Sequence, residues 1–163
     1  MKKISFNDLF MSMVYLVSMK SKDESTHIGA VIVDNDNIIV SVGYNGLPRG
    51  CNDNLPYRQK RPEKYFWFEH AERNAIYNAR RSLKGCTLYT QGIPCADCAR
   101  AVIQSGIKKV VVHGPWYATN AEQWNESCLR SEKMFKETGV EVEYYQGEIL
   151  KIIPWRNGKV AEI

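Results

Sequence analysis

Apolar residues near the start of the chain recur at the spacing of an amphipathic helix, which we predict over residues 6–20. The apolar face of this helix consists of Leu9, Met13, Leu16 and Val17. Two runs rich in β-branched residues follow, at 27–33 and 37–43. The acidic and amide residues between them, 34–36, predict the turn of a β-hairpin.

The rest of the chain alternates between patterns typical of helices and of strands. Residues 43–64 are rich in Gly, Pro, Asn and Arg and predict a long loop, which in a compact domain usually carries function. After it we predict helices at 71–81, 96–105 and 121–137, and strands at 86–90, 110–112 and 140–145. This order predicts one α/β domain over 1–163, a three-layer α/β/α fold around a mixed sheet of about five strands, with the later strands parallel. The tail, 146–163, is weakly patterned, and we consider that it packs on a neighbouring chain.

Composition excludes several classes of protein. The 163 residues are 44% hydrophobic and 25% charged, which is typical of a folded chain rather than a disordered one. No apolar run is long enough to span a bilayer, and no secretory signal is visible, so we expect a cytoplasmic protein without membrane contact. The net charge of +4 does not separate a nucleotide enzyme from a nucleic-acid binder. The basic segment 58–64 is interpreted as a solvated face.

Two of the five cysteines are spaced for metal binding. Cys95 and Cys98 stand three residues apart at the predicted start of a helix, so both sulfurs share one face. A helix N-terminus also favours the thiolate, which is the form that binds metals. By itself this pair is equally compatible with a redox dithiol or with half of a structural zinc site. Cys51, Cys86 and Cys128 lack such spacing and are assigned packing roles.

His70 and Glu72, at the predicted start of the preceding helix, change that interpretation. Together with Cys95 and Cys98, His70 makes three protein ligands and leaves a fourth position for water, which is typical of a catalytic zinc ion. Glu72 is then a candidate proton shuttle beside the water, provided that the motif lies where the chain enters the helix. The alternative is that Glu72 is a first-turn acid that favours the helix dipole.

The chain resembles the zinc-dependent cytidine/deoxycytidylate (dCMP) deaminase family, whose signature is His-x-Glu followed by Pro-Cys-x-x-Cys. The resemblance covers residues 8–145. Besides Pro94–Cys98, the segments that carry it are Ser21-Lys22-Asp23, Gly29–Val33, Gly43-Tyr44-Asn45-Gly46, Pro48-Arg49-Gly50, His70–Ile76 and Ile103–Lys108. It implies a cytidine-deaminase-like fold, a zinc cofactor and a homo-oligomer.

The resemblance implies a reaction and a set of site residues. Zinc-bound hydroxide would attack C4 of the cytosine of dCMP, and Glu72 would carry protons to N3 and to the departing ammonia, giving dUMP. Asn45 resembles the family residue that holds the sugar 3′-hydroxyl, with a turn Asn as the alternative. The amide of Ala71 and a carbonyl near Pro94 would meet the pyrimidine edge.

Two further roles are assigned more loosely. Arg49 and Lys22 are candidates for the 5′-phosphate, because a dianion requires a guanidinium or ammonium group; the alternative is that both are surface charges. Some family members bind dCTP and dTTP as effectors near the Gly43–Gly46 segment. Gly43, Tyr44, Asn45 and Gly46, with Lys22 and Asp23, are therefore candidates for an allosteric site.

The segment 114–128 departs from the family pattern, and it should line the rim of the pocket. Within it, Trp116, Tyr117 and Trp124 are candidates to stack on a base, whereas Phe66–Phe68 are assigned to the core. The rivals are a deaminase of another cytosine nucleotide, of a nucleoside or of a polynucleotide. The last would need a continuous basic and aromatic groove, so polynucleotide binding is not expected. From a different class, a non-catalytic zinc or nucleotide-binding regulator would gain little from Glu72.

Overall fold

A mixed five-stranded sheet lies between two layers of helices in the computed structural model, which describes residues 3–120, 125–153, 155–156 and 159–160. The strands are β1 (Gly29–Val33), β2 (Ile39–Tyr44), β3 (Thr87–Thr90), β4 (Lys109–His113) and β5 (Glu141–Tyr145), with a separate short pair, β6 (Trp155–Arg156) and β7 (Lys159–Val160). The helices are α1 (Phe6–Ser18), α2 (Lys64–Trp67), α3 (Ala71–Asn78), α4 (Ala96–Gln104), α5 (Gly114–Asn120) and α6 (Asn125–Thr138), with a 3-10 turn at Pro56–Gln59.

The sheet has the order β2-β1-β3-β4-β5. Strand β1 is antiparallel to both of its neighbours, and Val31 lies opposite Val42 on β2 and Tyr89 on β3. Strands β3, β4 and β5 run parallel to one another. The prediction of a mixed sheet of about five strands, with the later strands parallel, is therefore confirmed.

Alternate side chains of the central strands enter two different cores. On one face, α1 packs Phe10 and Val14 against Val31 and Val111. The opposite face carries α3, α4 and α6, whose residues pack against alternating positions such as Ile32. All five residues of β1 are buried, as expected for a strand that is covered on both faces. The three-layer arrangement is thus confirmed.

Two glycines allow helices to approach the sheet closely. A Cβ at Gly29 would lie 2.1 Å from the carbonyl oxygen of Val14 on α1. A Cβ at Gly43 would lie 2.3 Å from the carbonyl oxygen of Ala71 and 2.3 Å from the amide nitrogen of Ala75, both on α3. Real side chains do not tolerate such distances, so these glycines set where α1 and α3 sit.

Several predicted bounds were wrong. Helix α1 ends at Ser18, and α3 ends at Asn78, because Ala79 adopts extended dihedral angles. Helix α5 was not predicted, although a proline in its first turn is a known start signal. The predicted start of the next helix, at 121–124, lies outside the described residues, and the helix continues from Asn125.

The beginning of the tail packs on its own chain. The amide of Leu150 donates a 2.8 Å hydrogen bond to Ser12 Oγ on α1, and Tyr145 OH donates to the carbonyl of Glu148. Ile149 contacts the core beneath α1. Among the described residues, no helix combines the length and the apolar character needed to cross a bilayer.

Candidate active site

The starts of two helices bring His70, Cys95 and Cys98 together. His70 is the N-cap residue of α3, Cys95 is the N-cap residue of α4, and Cys98 lies in the first turn of α4. His70 Nδ1 is 3.4 Å from Cys95 Sγ and 3.5 Å from Cys98 Sγ. All three ligand atoms lie within 4.8 Å of one another. Nitrogen and sulfur ligands of one tetrahedral zinc ion are separated by about 3.6 Å, so these donors fit the metal.

The polar groups of this cluster shift the pKa values of one another strongly. Hydrogen bonds from the Cys98 thiol and from the His70 ring lower the pKa of Cys95 to about 4, although burial opposes this. The hydrogen bond with Cys95, followed by the charge of Glu72, raises the pKa of His70 to about 9, again against burial. The pKa of Cys98 is raised, because its proton is shared with Cys95 and because it is buried. The three groups therefore take up and release protons as one coupled cluster.

Glu72 lies immediately beside these ligands. It is the second residue of α3, as the His-x-Glu interpretation required, and its side chain is buried. Its Oε2 is 3.7 Å from Cys98 Sγ. Burial raises the pKa of Glu72, while the charge of His70 opposes the rise. A carboxyl group whose pKa is raised in this way is suited to accept and return a proton near neutral pH.

A cavity of about 980 Å³, its open mouth included, adjoins His70, Glu72 and Cys95. Trp116 and Tyr117 of α5 form part of its wall, as the sequence indicated. Trp116 rests directly on Gly92, where a Cβ would lie 2.7 Å from Trp116 Cζ3. The third candidate for stacking, Trp124, lies outside the described residues.

The aromatic segment before His70 was wrongly assigned to the core. Phe66 is 81% exposed, and Phe68 lines the cavity together with Tyr65. The assignment failed because 64–67 forms a single helical turn on the surface rather than a strand with alternating faces.

Asn45 lines the cavity through a side chain that is already hydrogen-bonded. Its Oδ1 accepts from the amide of Ile28 at 2.8 Å. Its Nδ2 donates to Asp23 Oδ2 at 3.0 Å and to the carbonyl of Thr26 at 2.8 Å. Both amide hydrogens are used, so a further partner has to donate to the second lone pair of Oδ1.

Asp23 and Lys64 form a nearly buried ion pair in the wall of the same cavity. Lys64 Nζ is 2.5 Å from Asp23 Oδ1, with side chains 11% and 4% exposed. Lys64 also donates to Ser25 Oγ. Burial would raise the pKa of Asp23, but the hydrogen bonds from Lys64, Ser25 and Thr26 lower it overall. The sequence placed Lys64 on a solvated face, because nothing in its neighbourhood signals a buried partner 41 residues away.

Other predicted site residues have different positions. Ala71 lines the cavity, and Pro94 lies between Ile93 and Cys95, which both line it. Lys22 is exposed and ion-paired with Asp53, and Arg49 is exposed and donates to Asn78. Neither cation lines the cavity, so the structure does not bring these two phosphate candidates to the site.

The predicted allosteric segment is divided between the cavity and the surface. Asp23 and Asn45 line the cavity. Tyr44 is partly exposed and pairs with Gly29 across β1 and β2. Gly46 exchanges backbone hydrogen bonds of 3.0 and 2.8 Å with Glu69, which fixes the chain just before His70.

Comparison with known proteins identifies relatives along most of the chain. Residues 4–114 match the family described as the cytidine and deoxycytidylate deaminase zinc-binding region. The chain is 36% identical to the deoxycytidylate deaminase of Mus musculus over 156 residues, which cover 92% of this chain and 85% of that protein. It is 43% identical over 143 residues to an uncharacterised deaminase of Aliivibrio fischeri, covering 87% and 95% of the two chains.

A solved structure gives the same result for the fold. The dCMP deaminase of cyanophage S-TIM5, in its apo form, superposes with a TM-score of 0.68 at 26% identity, over 88% of this chain and 100% of that chain. The ligand geometry, the buried carboxyl group and these matches agree with one another. The chain belongs to the cytidine and deoxycytidylate deaminase family.

Proposed function

We propose that this protein converts dCMP and water to dUMP and ammonia. The observation that carries the proposal is the position of the buried Glu72 carboxyl group beside the cluster of His70, Cys95 and Cys98. Glu72 also lines a cavity whose wall contains aromatic side chains. The curated relative from mouse, a deoxycytidylate deaminase, supports the choice of substrate.

His70, Cys95 and Cys98 would hold the zinc ion, which when bound lowers the pKa of water and so supplies hydroxide at neutral pH. Glu72 accepts the proton released by the attacking water as the new bond to C4 of the cytosine forms. It delivers that proton to N3, then takes a second proton from the hydroxyl group now on C4 and transfers it to the amino group. The bond between C4 and that nitrogen breaks, and ammonia leaves. A positioned acid–base group of this kind contributes roughly 10²- to 10⁴-fold to a rate.

The remaining cavity residues orient the substrate. We assign the amide of Ala71 and the carbonyl of Pro94 to the edge of the pyrimidine. Asn45 can accept a hydrogen bond from the sugar 3′-hydroxyl through the open lone pair of Oδ1, since its other polar positions are occupied. Trp116 and Tyr117 cover the base and exclude water from the reacting atoms.

The test is ammonia release by zinc-loaded protein, with dCMP compared with deoxycytidine, dCTP and single-stranded DNA. We expect a preference for dCMP that disappears in Glu72→Ala. Turnover of single-stranded DNA in preference to dCMP would replace the proposal by a polynucleotide deaminase. No turnover of any of the four, with zinc bound and the fold intact, would contradict it and favour a non-catalytic regulator.

Regulation is a further part of the proposal. Lys22, Asp23 and Gly43–Gly46 are the candidates for effector binding, with dCTP activating and dTTP inhibiting. The exposure of Lys22 and Tyr44 supports a site that opens to the surface. Rates at subsaturating dCMP, measured with each triphosphate added, test it; unchanged rates would contradict it.

We also propose a homo-oligomer that works in the cytoplasm. The outer strand β2 exposes Ile39, Val42 and Tyr44, which supports burial of this edge against another copy. The five cysteines are all free thiols, which suits a reducing compartment. Light scattering after size-exclusion chromatography tests the assembly, and a monomer at working concentration would contradict it.

A further inference from the structure

We propose that Arg61, with Lys64 beside it, binds the 5′-phosphate of the substrate and makes the enzyme select nucleotides over nucleosides. This inference rests on the proposed function. As candidates for binding the phosphate, these two cations take the place of Lys22 and Arg49, because they line the cavity itself.

The charges of the cavity determine which part of it can accept a dianion. His70, Glu72 and Cys95 line the part of the cavity where the base has to react, so the phosphate has to lie against other residues of the wall. Apart from His70, which belongs to the ligand cluster, Arg61 and Lys64 are the cations among the described residues that line the cavity. They stand three residues apart in the chain.

Lys64 is held in place before any ligand arrives. Two of its three ammonium hydrogens are directed at Asp23 Oδ1 and Ser25 Oγ, which leaves the third for a ligand. The charge of Asp23 balances much of the charge of Lys64. Lys64 alone is therefore a fixed hydrogen-bond donor more than a source of net positive charge.

Arg61 supplies the net charge that Lys64 does not. Its side chain is exposed at the mouth of the cavity, and its guanidinium lies 5.7 Å from the centre of the Tyr65 ring. No carboxylate in the described part of the chain forms an ion pair with Arg61. The planar guanidinium is thus free to make two parallel hydrogen bonds to a phosphate. Lys22 and Arg49, in contrast, already hold partners outside the cavity.

The experiment compares dCMP and deoxycytidine as substrates of the zinc-loaded wild type, Arg61→Ala and Arg61→Lys. Loss of a charged hydrogen-bonding group should lower kcat/KM for dCMP by roughly 10- to 100-fold in Arg61→Ala. The kcat/KM of Arg61→Lys for dCMP should lie between the values of wild type and Arg61→Ala, because lysine keeps the charge but cannot make the two parallel hydrogen bonds. Values for deoxycytidine should stay unchanged, because this substrate has no phosphate.

Lys60→Ala is the matched control, since Lys60 is exposed, lies in the same segment and does not line the cavity. It removes the same charge and should leave the preference for dCMP intact. An equal loss for both substrates in Arg61→Ala, or no loss for dCMP, would overturn the inference. So would an equal loss of preference in Lys60→Ala.

A binding measurement separates this inference from the proposed function. Calorimetric titration with dUMP and deoxyuridine should show that wild type prefers dUMP and that Arg61→Ala does not. If wild type fails to deaminate dCMP, the proposed function is overturned, and the titration still decides the role of Arg61. Equal affinity of wild type for dUMP and deoxyuridine would overturn the inference.

Discussion

At the scale of single residues, Glu72 is the group whose surroundings most directly predict its chemistry. Glu72→Gln keeps the shape and burial of the side chain but cannot carry a proton. We expect kcat to fall by roughly 10²- to 10⁴-fold while the zinc content stays at one ion per chain. Ammonia release measures the rate, and elemental analysis of the same preparation measures the zinc content. A rate within tenfold of wild type would mean that another group moves the proton.

Lys64 and Asp23 allow a prediction about stability. Lys64→Met leaves the Asp23 carboxylate unpaired at 4% exposure, which should lower the free energy of unfolding by roughly 3 kcal/mol at pH 7. Urea unfolding measures the change. The double variant Asp23→Asn with Lys64→Met should be less destabilised than Lys64→Met alone, because it contains no buried charge without a partner at this site.

The pH dependence of this pair has a definite sign. The folded-state pKa of Asp23 is lowered from its ordinary value of 3.8, so the pair stabilises the fold above that pH. The stabilisation is lost as the pH falls through the lowered pKa. The difference between wild type and Lys64→Met should therefore be largest near neutral pH and shrink on acidification, when unfolding is measured at several pH values. If the difference in unfolding free energy did not change with pH, the effect of Lys64→Met would come from packing and not from charge.

At the scale of elements, Gly43 controls the position of α3 and hence of His70 and Glu72. Gly43→Ala forces a methyl group against the backbone of α3 and should cost about 1–3 kcal/mol. Gly46→Ala is the matched control in the same motif, because its Cβ would be 3.9 Å from the Tyr44 ring, an ordinary contact. Thermal unfolding should distinguish the two, and equal melting temperatures would contradict this account.

The elements also show what a single sequence can and cannot predict. The zinc-ligand set could be proposed from spacing, because α3 and α4 each begin at a ligand and helix starts carry local signals. The sheet followed from β-branched runs of ordinary length. In contrast, the pairing of Lys64 with Asp23 and the placement of Arg61 depend on how a long loop folds over the cavity. That arrangement leaves no periodic pattern in the chain.

At the scale of the whole molecule, the metal would join the starts of α3 and α4, two helices of the same layer. Removing zinc with a chelator should lower the melting temperature; a ligand present at 1,000 times its Kd contributes about 4 kcal/mol. The loss of local stability should differ between the two helices. Ser127 Oγ of α6 accepts from the first amide of α4, whereas the His70 side chain forms no capping hydrogen bond to α3. Hydrogen exchange should therefore accelerate more in the first turn of α3 than in that of α4. Equal acceleration would contradict this.

The uncapped start of α3 has a consequence for the protein in the cell. A newly synthesised chain that has not yet acquired zinc would open first at the start of α3, close to the helical turn 64–67 and its exposed Phe66. Such an opening is the kind of site at which proteases cut folded chains. The lifetime of the protein would then depend on zinc supply, and metal starvation would remove molecules by degradation rather than leave inactive ones to accumulate.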